Sequence, residues 1–258
     1  MTQWIRFEEN GQIGFGTLEA GQIAVHEGDM FTGAKPTAQI LDLARVKVLI
    51  PCVPGKMICL WNNFAAKQGL ARPEEPLWFF KGDNAFLAHG DAIRRPPSYS
   101  GKIVYEGELG IVVGKRCSNV SEAEAPDCIF GYTCVNDITA IELINKDASF
   151  AQWTRSKSFD TFGAFGPAIA TGLDPMTLSV RTVLNGVERQ NYPVHDMFFP
   201  PVKLVSLLSR DVTMMPGDVI ACGTSVGVGT MSKAENVVEI TIEGIGTLRS
   251  TLTQTALA

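Results

Sequence analysis

Glu106 and Glu108 stand two residues apart in the run Ile103–Lys115, IVYEGELGIVVGK. The run is rich in β-branched residues and closes on Gly114, which predicts a strand. Along a strand, residues two apart project from the same face, so both carboxylates point the same way. Side by side in an apolar segment they repel each other and resist burial, a conflict that a cation or a shared proton settles. A third acid, Asp137, closes the next strand-like run, FGYTCVND. Three carboxylates with no His or Cys beside them suit a hard divalent cation with oxygen ligands, Mg²⁺ before Mn²⁺ or Ca²⁺. A bare E-x-E is nonetheless a short motif, and a solvated strand face would carry it equally well.

The elements that must position these acids are mostly strands. The chain has 258 residues, 45% hydrophobic and 19% charged, with 25 Gly and 14 Pro. That describes a globular chain with a large core and many turns. A net charge of −5 leaves no basic patch to meet phosphates, so no nucleic-acid partner is expected. No run approaches the roughly 20 apolar residues that span a bilayer, so no membrane partner is expected. The start, MTQWIRFEEN, lacks the basic and apolar segments of a secretory signal. Six scattered cysteines without a C-x-x-C pair then read as reduced and buried, and the cytoplasm is the expected location. His26, His89 and His195 are far apart in sequence and read as unrelated polar positions.

In chain order, residues 1–50 read as a small β-rich region. WIRF, IGFGTL and IAVH are short alternating runs between Gly-containing turns. Such a meander must pack on something larger. AQILDLAR (38–45) is compatible with a short helix, and Pro51 with the Pro54-Gly55 turn marks the boundary to a main body over 51–258. KMICLWNNF and LWFFKGDNAFL read as strands, separated by the exposed loop AAKQGLARPEEP. Residues 121–130 read as a helix from Ser121 and Glu124 in capping-box spacing, 138–152 are ambiguous with helix favoured, and 153–167 reads as irregular. Asn185-Gly186 between strand-like runs predicts a hairpin, and Pro201 opens a helix over 199–209. The alternation in VVEITIEGIGTLRSTL predicts a closing hairpin.

Taken together, the ordered pieces F-x-K (Phe79 to Lys81), YEGELGIVVGK, GYTCVND, KSFDTFGAFGP, NGVERQ, PGDVIACGT and GVG resemble the fumarylacetoacetate hydrolase family over roughly residues 50–250. The resemblance implies an α+β, mostly β fold: a roll of mixed strands with short flanking helices, built as a homodimer. It implies Mg²⁺ or Mn²⁺ on Glu106, Glu108 and Asp137, and a small 2-oxo or 2,4-dioxo acid as substrate. The reactions it implies are C–C cleavage by acylpyruvate-type hydrolysis or decarboxylation. The alternatives are isomerisation of a 2-hydroxy-diene or 2-oxo-ene-dioate in aromatic catabolism, or metal and ligand binding alone. The chemistry fits the residues, because a divalent ion can stabilise the enolate formed when a bond to C3 breaks. Lys157 falls at the family's catalytic lysine. Lys81, Gln190 and Thr224 fall at substrate-side positions, and Lys67 at a lid position facing the substrate.

Two departures qualify this. Where hydrolases of the family carry a water-activating His and Glu on the lid, this chain has Lys67 and Leu70. Where the family has an arginine after the metal aspartate, this chain has Ile141, within Thr139-Ala140-Ile141-Glu142. Lys67 and Leu70 form no carboxylate–imidazole pair, so weak acylpyruvate hydrolysis is expected unless Glu74 or Glu75 supplies the missing acid.

Overall fold

The computed structural model describes residues 1–65 and 70–254. Twelve strands form one large mixed sheet, five a second sheet and three a small bridging one. The large sheet is centred on the strands Gly107–Val113, Ile129–Asp137 and Gly163–Thr171, antiparallel to one another. Every residue of Gly107–Val113 is buried. Leu109, Ile111 and Val113 face the main core shared with the five-stranded sheet, while Val112 faces a second core with Met57, Phe165 and Ile169. Cover on both faces explains why this strand reads as a continuous apolar run.

Residues 1–50 extend this sheet. Thr2–Glu9, Gln12–Glu19 and Gln22–Glu27 form the expected meander, turning at Asn10-Gly11 and Ala20-Gly21 with positive φ at all four residues. Thr2–Glu9 then pairs with Gly163–Thr171, which gives the marginal meander its support.

Four segments depart from the expectations. AQILDLAR is not helical: Lys35–Asp42 is the outer strand of the meander, and only Leu43–Arg45 turns as a 3₁₀ helix capped by Asp42. Pairing with Gln22–Glu27 overrides a neutral local preference. Over 121–130, the Glu124 carboxylate does accept from the Ser121 N–H and hydroxyl, at 2.9 and 2.7 Å. The turn stops at Ala125–Cys128, because Pro126 brings no N–H and Ile129 is claimed by pairing with Val113. Residues 138–152 hold a two-residue strand and the 3₁₀ turn Ile141–Leu143, and the helix lies instead at Trp153–Lys157. The stretch taken as irregular carries the strand Gly163–Thr171, where a register shift opposite Cys134 accommodates Gly166-Pro167. The predicted helix does form at Pro201–Asp211 with proline in its first turn, and both hairpins form as expected. Among the described residues, no helix is long and apolar enough to cross a membrane.

Candidate metal centre

The run Ile103–Lys115 is not one strand. Ile103–Tyr105 pairs with Thr139–Ala140 and Gly229–Thr230 in the small sheet, and Gly107–Val113 enters the large one. The chain changes sheets at Glu106. Its backbone is held there, with its N–H on the Asn136 side-chain oxygen at 3.2 Å and its carbonyl accepting from Asp137 N–H at 2.9 Å. Glu108 sits opposite Val135 and Gly107 opposite Asn136, so Asp137 arrives beside Glu106 at the end of the partner strand. One oxygen from each of Glu106, Glu108 and Asp137 lies within 4.8 Å of the other two. The acids therefore converge, through a switch between sheets as well as the same-face geometry of a strand.

The three carboxylates sit in different surroundings. Glu108 is fully buried; one oxygen accepts from Gly223 N–H at 2.8 Å and the other has no partner. Burial first, then the charges of Asp137 and Glu106, push its carboxyl well above the ordinary range. Asp137 is also buried, which alone would raise its carboxyl, but Lys157 and Lys81 outweigh burial and hold it low. Glu106 keeps 13% of its side chain exposed and accepts from Thr139 Oγ1 at 2.7 Å. An orphaned buried carboxylate oxygen amid an all-oxygen donor set fits a hard divalent cation such as Mg²⁺ or Mn²⁺.

The two lysines differ in kind. Lys157 ends the short helix Trp153–Lys157 and places Nζ 2.8 Å from Glu106 and 2.6 Å from Asp137, over the Phe79 ring. Burial works against its charge, yet Asp137 and Glu106 raise its pKa above that of an ordinary lysine. Lys81 points inward. Its ammonium lies 2.7 Å from Asp137 and donates to the carbonyls of Ile138, Phe162 and Lys157, with no side-chain surface exposed. The structure therefore puts Lys81 behind the acids, positioning Asp137 and the chain carrying Lys157, with no donor left for a substrate.

Gln190 and Thr224 are drawn to the backbone between the glutamates. Gln190 accepts from Gly107 N–H at 3.1 Å and donates to Thr224 Oγ1 at 2.8 Å. Thr224 donates to the Gly107 carbonyl at 2.9 Å, and Tyr192 donates to the same oxygen at 2.5 Å. Both residues are buried, so in this structure they clamp the E-x-E backbone. Lys67 lies outside the described residues; Leu70 and Glu74–Glu75 are exposed. Sequence reasoning missed Tyr192, although it stands two residues from Gln190 on the same strand face, a spacing that points to it. It also missed Ser225, whose buried hydroxyl has no partner among the described residues and which lines the cavity beside Glu106 and Lys157. Only adjacency to Thr224 hinted at it. That cavity measures about 330 Å³. A cavity of about 360 Å³ lies elsewhere, and one of about 500 Å³ shares Trp61 and Trp153 with this one; neither contains any of the three acids.

Comparison with known proteins agrees with this geometry. Residues 56–253 match the family described as Fumarylacetoacetate (FAA) hydrolase C-terminal, and residues 2–51 match Rv2993c-like, N-terminal. An uncharacterized protein of Archaeoglobus fulgidus is 42% identical over 250 residues, covering 95% of this chain and 94% of that protein. The oxaloacetate tautomerase YisK of Bacillus subtilis is 35% identical over 223 residues, covering 80% of this chain and 73% of that protein. The crystal structure of 2-hydroxyhepta-2,4-diene-1,7-dioate isomerase from Mycobacterium marinum superimposes with a TM-score of 0.90 at 33% identity, covering 98% of each chain. With the fold matched end to end and the family signature spanning the whole acidic centre, the chain belongs to the fumarylacetoacetate hydrolase family.

Proposed function

We propose that this chain is a Mg²⁺- or Mn²⁺-dependent enzyme that moves a proton between C3 and the C2 oxygen of a small 2-oxo acid. The observation that carries this is the convergence of Glu106, Glu108 and Asp137 beside Lys157, with Glu106 and Lys157 opening onto one cavity. Those three acids would hold the ion, which supplies Lewis-acid stabilisation of negative charge on the oxygens of a 2-oxo acid. Lys157 is kept protonated by its two carboxylate neighbours. It serves as a fixed cation and hydrogen-bond donor toward the developing oxyanion, not as a base. The free hydroxyl of Ser225 offers a second donor. Trp61 and Trp153 wall the cavity and limit water beside the reacting carbon.

Tautomerisation is favoured over the hydrolysis expected of many relatives. Hydrolysis needs a water positioned to attack carbon as well as a base to take its proton, and no imidazole lines the cavity among the described residues. Tautomerisation dispenses with that water and needs only a group to carry the C3 proton to oxygen, a task within reach of Glu106, which lines the cavity with 13% of its side chain exposed. The names of the B. subtilis and M. marinum proteins, a tautomerase and an isomerase, support proton transfer as the shared chemistry. Decarboxylation, which breaks the bond from C3 to a carboxylate and leaves CO₂ and the enolate of the shorter acid, would draw on the same charge stabilisation and stands as the second reading. The test follows deuterium uptake at C3 of 2-oxobutyrate by NMR, with and without Mg²⁺ or Mn²⁺. Uptake accelerated only when protein and ion are both present is expected. Uptake no faster than with the ion alone would overturn the reading.

A further inference from the structure

We infer that the acid taken by this site carries a single carboxylate and an apolar tail, and that Ile141 sets this preference. The inference rests on the reading of the site as a 2-oxo acid centre. The cavity meets the charged centre at Glu106 and Lys157, and its remaining wall is dominated by Trp61, Trp153, Ile141, Ile144, Val226 and Val228. Ile141 is 39% exposed, Val226 52% and Val228 39%, so three large apolar side chains stand open at the rim of a polar floor. An apolar wall around a few convergent polar groups is the usual form of a small-molecule site. Trp61 and Trp153 meet edge to face with centroids 5.8 Å apart, which makes that wall rigid.

Charge points the same way. A substrate carboxylate at the floor meets Lys157, the one cation lining the cavity among the described residues. A second carboxylate at the far end would meet Ile141 and Val228, with no cation beside them among the described lining residues. Removing an anion from water without a partner is costly. Each tail carbon buried on the wall, by contrast, is worth about fourfold in affinity, from about 0.8 kcal/mol per methylene.

The experiment measures binding, by titration calorimetry of the Mn²⁺-loaded full chain with pyruvate, 2-oxohexanoate and 2-oxoadipate. The last two have the same carbon count and differ in the far carboxylate. Tighter binding of 2-oxohexanoate than of 2-oxoadipate, by roughly tenfold or more, is expected. Ile141→Arg, and independently Val228→Arg, should move that ratio toward 2-oxoadipate by a similar factor, while Lys67→Ala should leave 2-oxohexanoate preferred. If pyruvate binds but 2-oxoadipate binds as well as 2-oxohexanoate or better, this inference fails alone. Loss of such a diacid preference in Lys67→Ala would give specificity to the lid. A native preference that neither arginine variant shifts removes the role of Ile141. If no acid binds the loaded protein, the 2-oxo acid reading itself fails.

Discussion

Replacing Gly107 by alanine puts a methyl group where the fold has no room for one. A Cβ built there falls well inside 3.0 Å of Thr182 Oγ1 and 3.2 Å from Gln190 Oε1, whereas ordinary contact begins at 3.4 Å. Thr182 is fully buried, so it or the Gly107 backbone must move by on the order of 1 Å in a close-packed core. Overpacking of this kind costs about 1–3 kcal/mol. For a chain of this size that lowers Tm by roughly 2–12 °C, at about 2–4 °C per kcal/mol. The displaced backbone carries Glu106 and Glu108 with it, and a misplacement of about 1 Å costs on the order of 10²-fold in turnover. Thr182 Oγ1 has no hydrogen-bond partner, so Thr182→Ala removes the obstacle for about 1 kcal/mol. The four proteins of the Gly107→Ala/Thr182→Ala cycle are compared by thermal melting and by Mn²⁺ titration. The double variant should regain most of what Gly107→Ala loses, a coupling of about 1–3 kcal/mol. If Gly107→Ala melts and binds Mn²⁺ like the native chain, or Thr182→Ala gives no rescue, the clamp on the E-x-E backbone is misread.

Saturating the native chain with Mn²⁺ at 100 times Kd should add about 2.7 kcal/mol, or roughly 5–10 °C in Tm. Glu108→Gln should lose most of that rise yet melt no lower than the native chain in a chelator; a full rise would remove Glu108 from the ligand set. Lys81→Met leaves Asp137 and three carbonyls short of a buried cation and should cost about 3–5 kcal/mol, read by denaturant melts. Because the folded Asp137 carboxyl is depressed, its stabilising effect is complete above its ordinary value of 3.8 and is lost as pH falls through the folded value. Removing Lys81 should shift that acid loss to higher pH, and an unchanged acid limb would refute the pairing. Lys67→His/Leu70→Glu should raise acetylpyruvate hydrolysis relative to oxaloacetate decarboxylation; efficient hydrolysis by the native chain, unimproved in the variant, would show the lid reading to be wrong.

What the sequence made legible was residue type at short range. The two glutamates, the aspartate ending the next strand and the turn pairs Asn10-Gly11 and Asn185-Gly186 are all where local spacing put them. What stayed hidden depends on which sheet a segment joins. Nothing in IVYEGELGIVVGK announces that the chain leaves the small sheet at Glu106, because β-branched residues suit both sides of the break. AQILDLAR has no strong preference, and its partner strand decided it. The inward turn of Lys81 was equally invisible, since carbonyls from three distant segments have to assemble before they can solvate an ammonium. Gln190 and Thr224 entered through the family resemblance and not through local pattern. Whether such a residue faces a ligand or a neighbouring backbone is a tertiary fact.

The charges of the centre show why two buried lysines are built in. Left to itself, the trio of acids would carry three negative charges in a site nearly closed to water, a cost no fold tolerates unpaired. Lys81 and Lys157 cancel two of them. The third is opposed by burial, which with Asp137 and Glu106 raises the Glu108 carboxyl and favours its protonated form. A divalent cation held by the three acids would favour the ionised Glu108, so its binding should strengthen as pH rises. Loaded with such an ion, the centre would carry one net positive charge, which under the proposed reading a single substrate carboxylate would neutralise. A second carboxylate would restore a negative excess against a wall of Ile141, Val226 and Val228, with nothing among the described lining residues to pair it. Under the proposed reading, the balance of charge and the apolarity of the wall would select for the same molecule, a monoanionic 2-oxo acid with a tail that prefers to leave water.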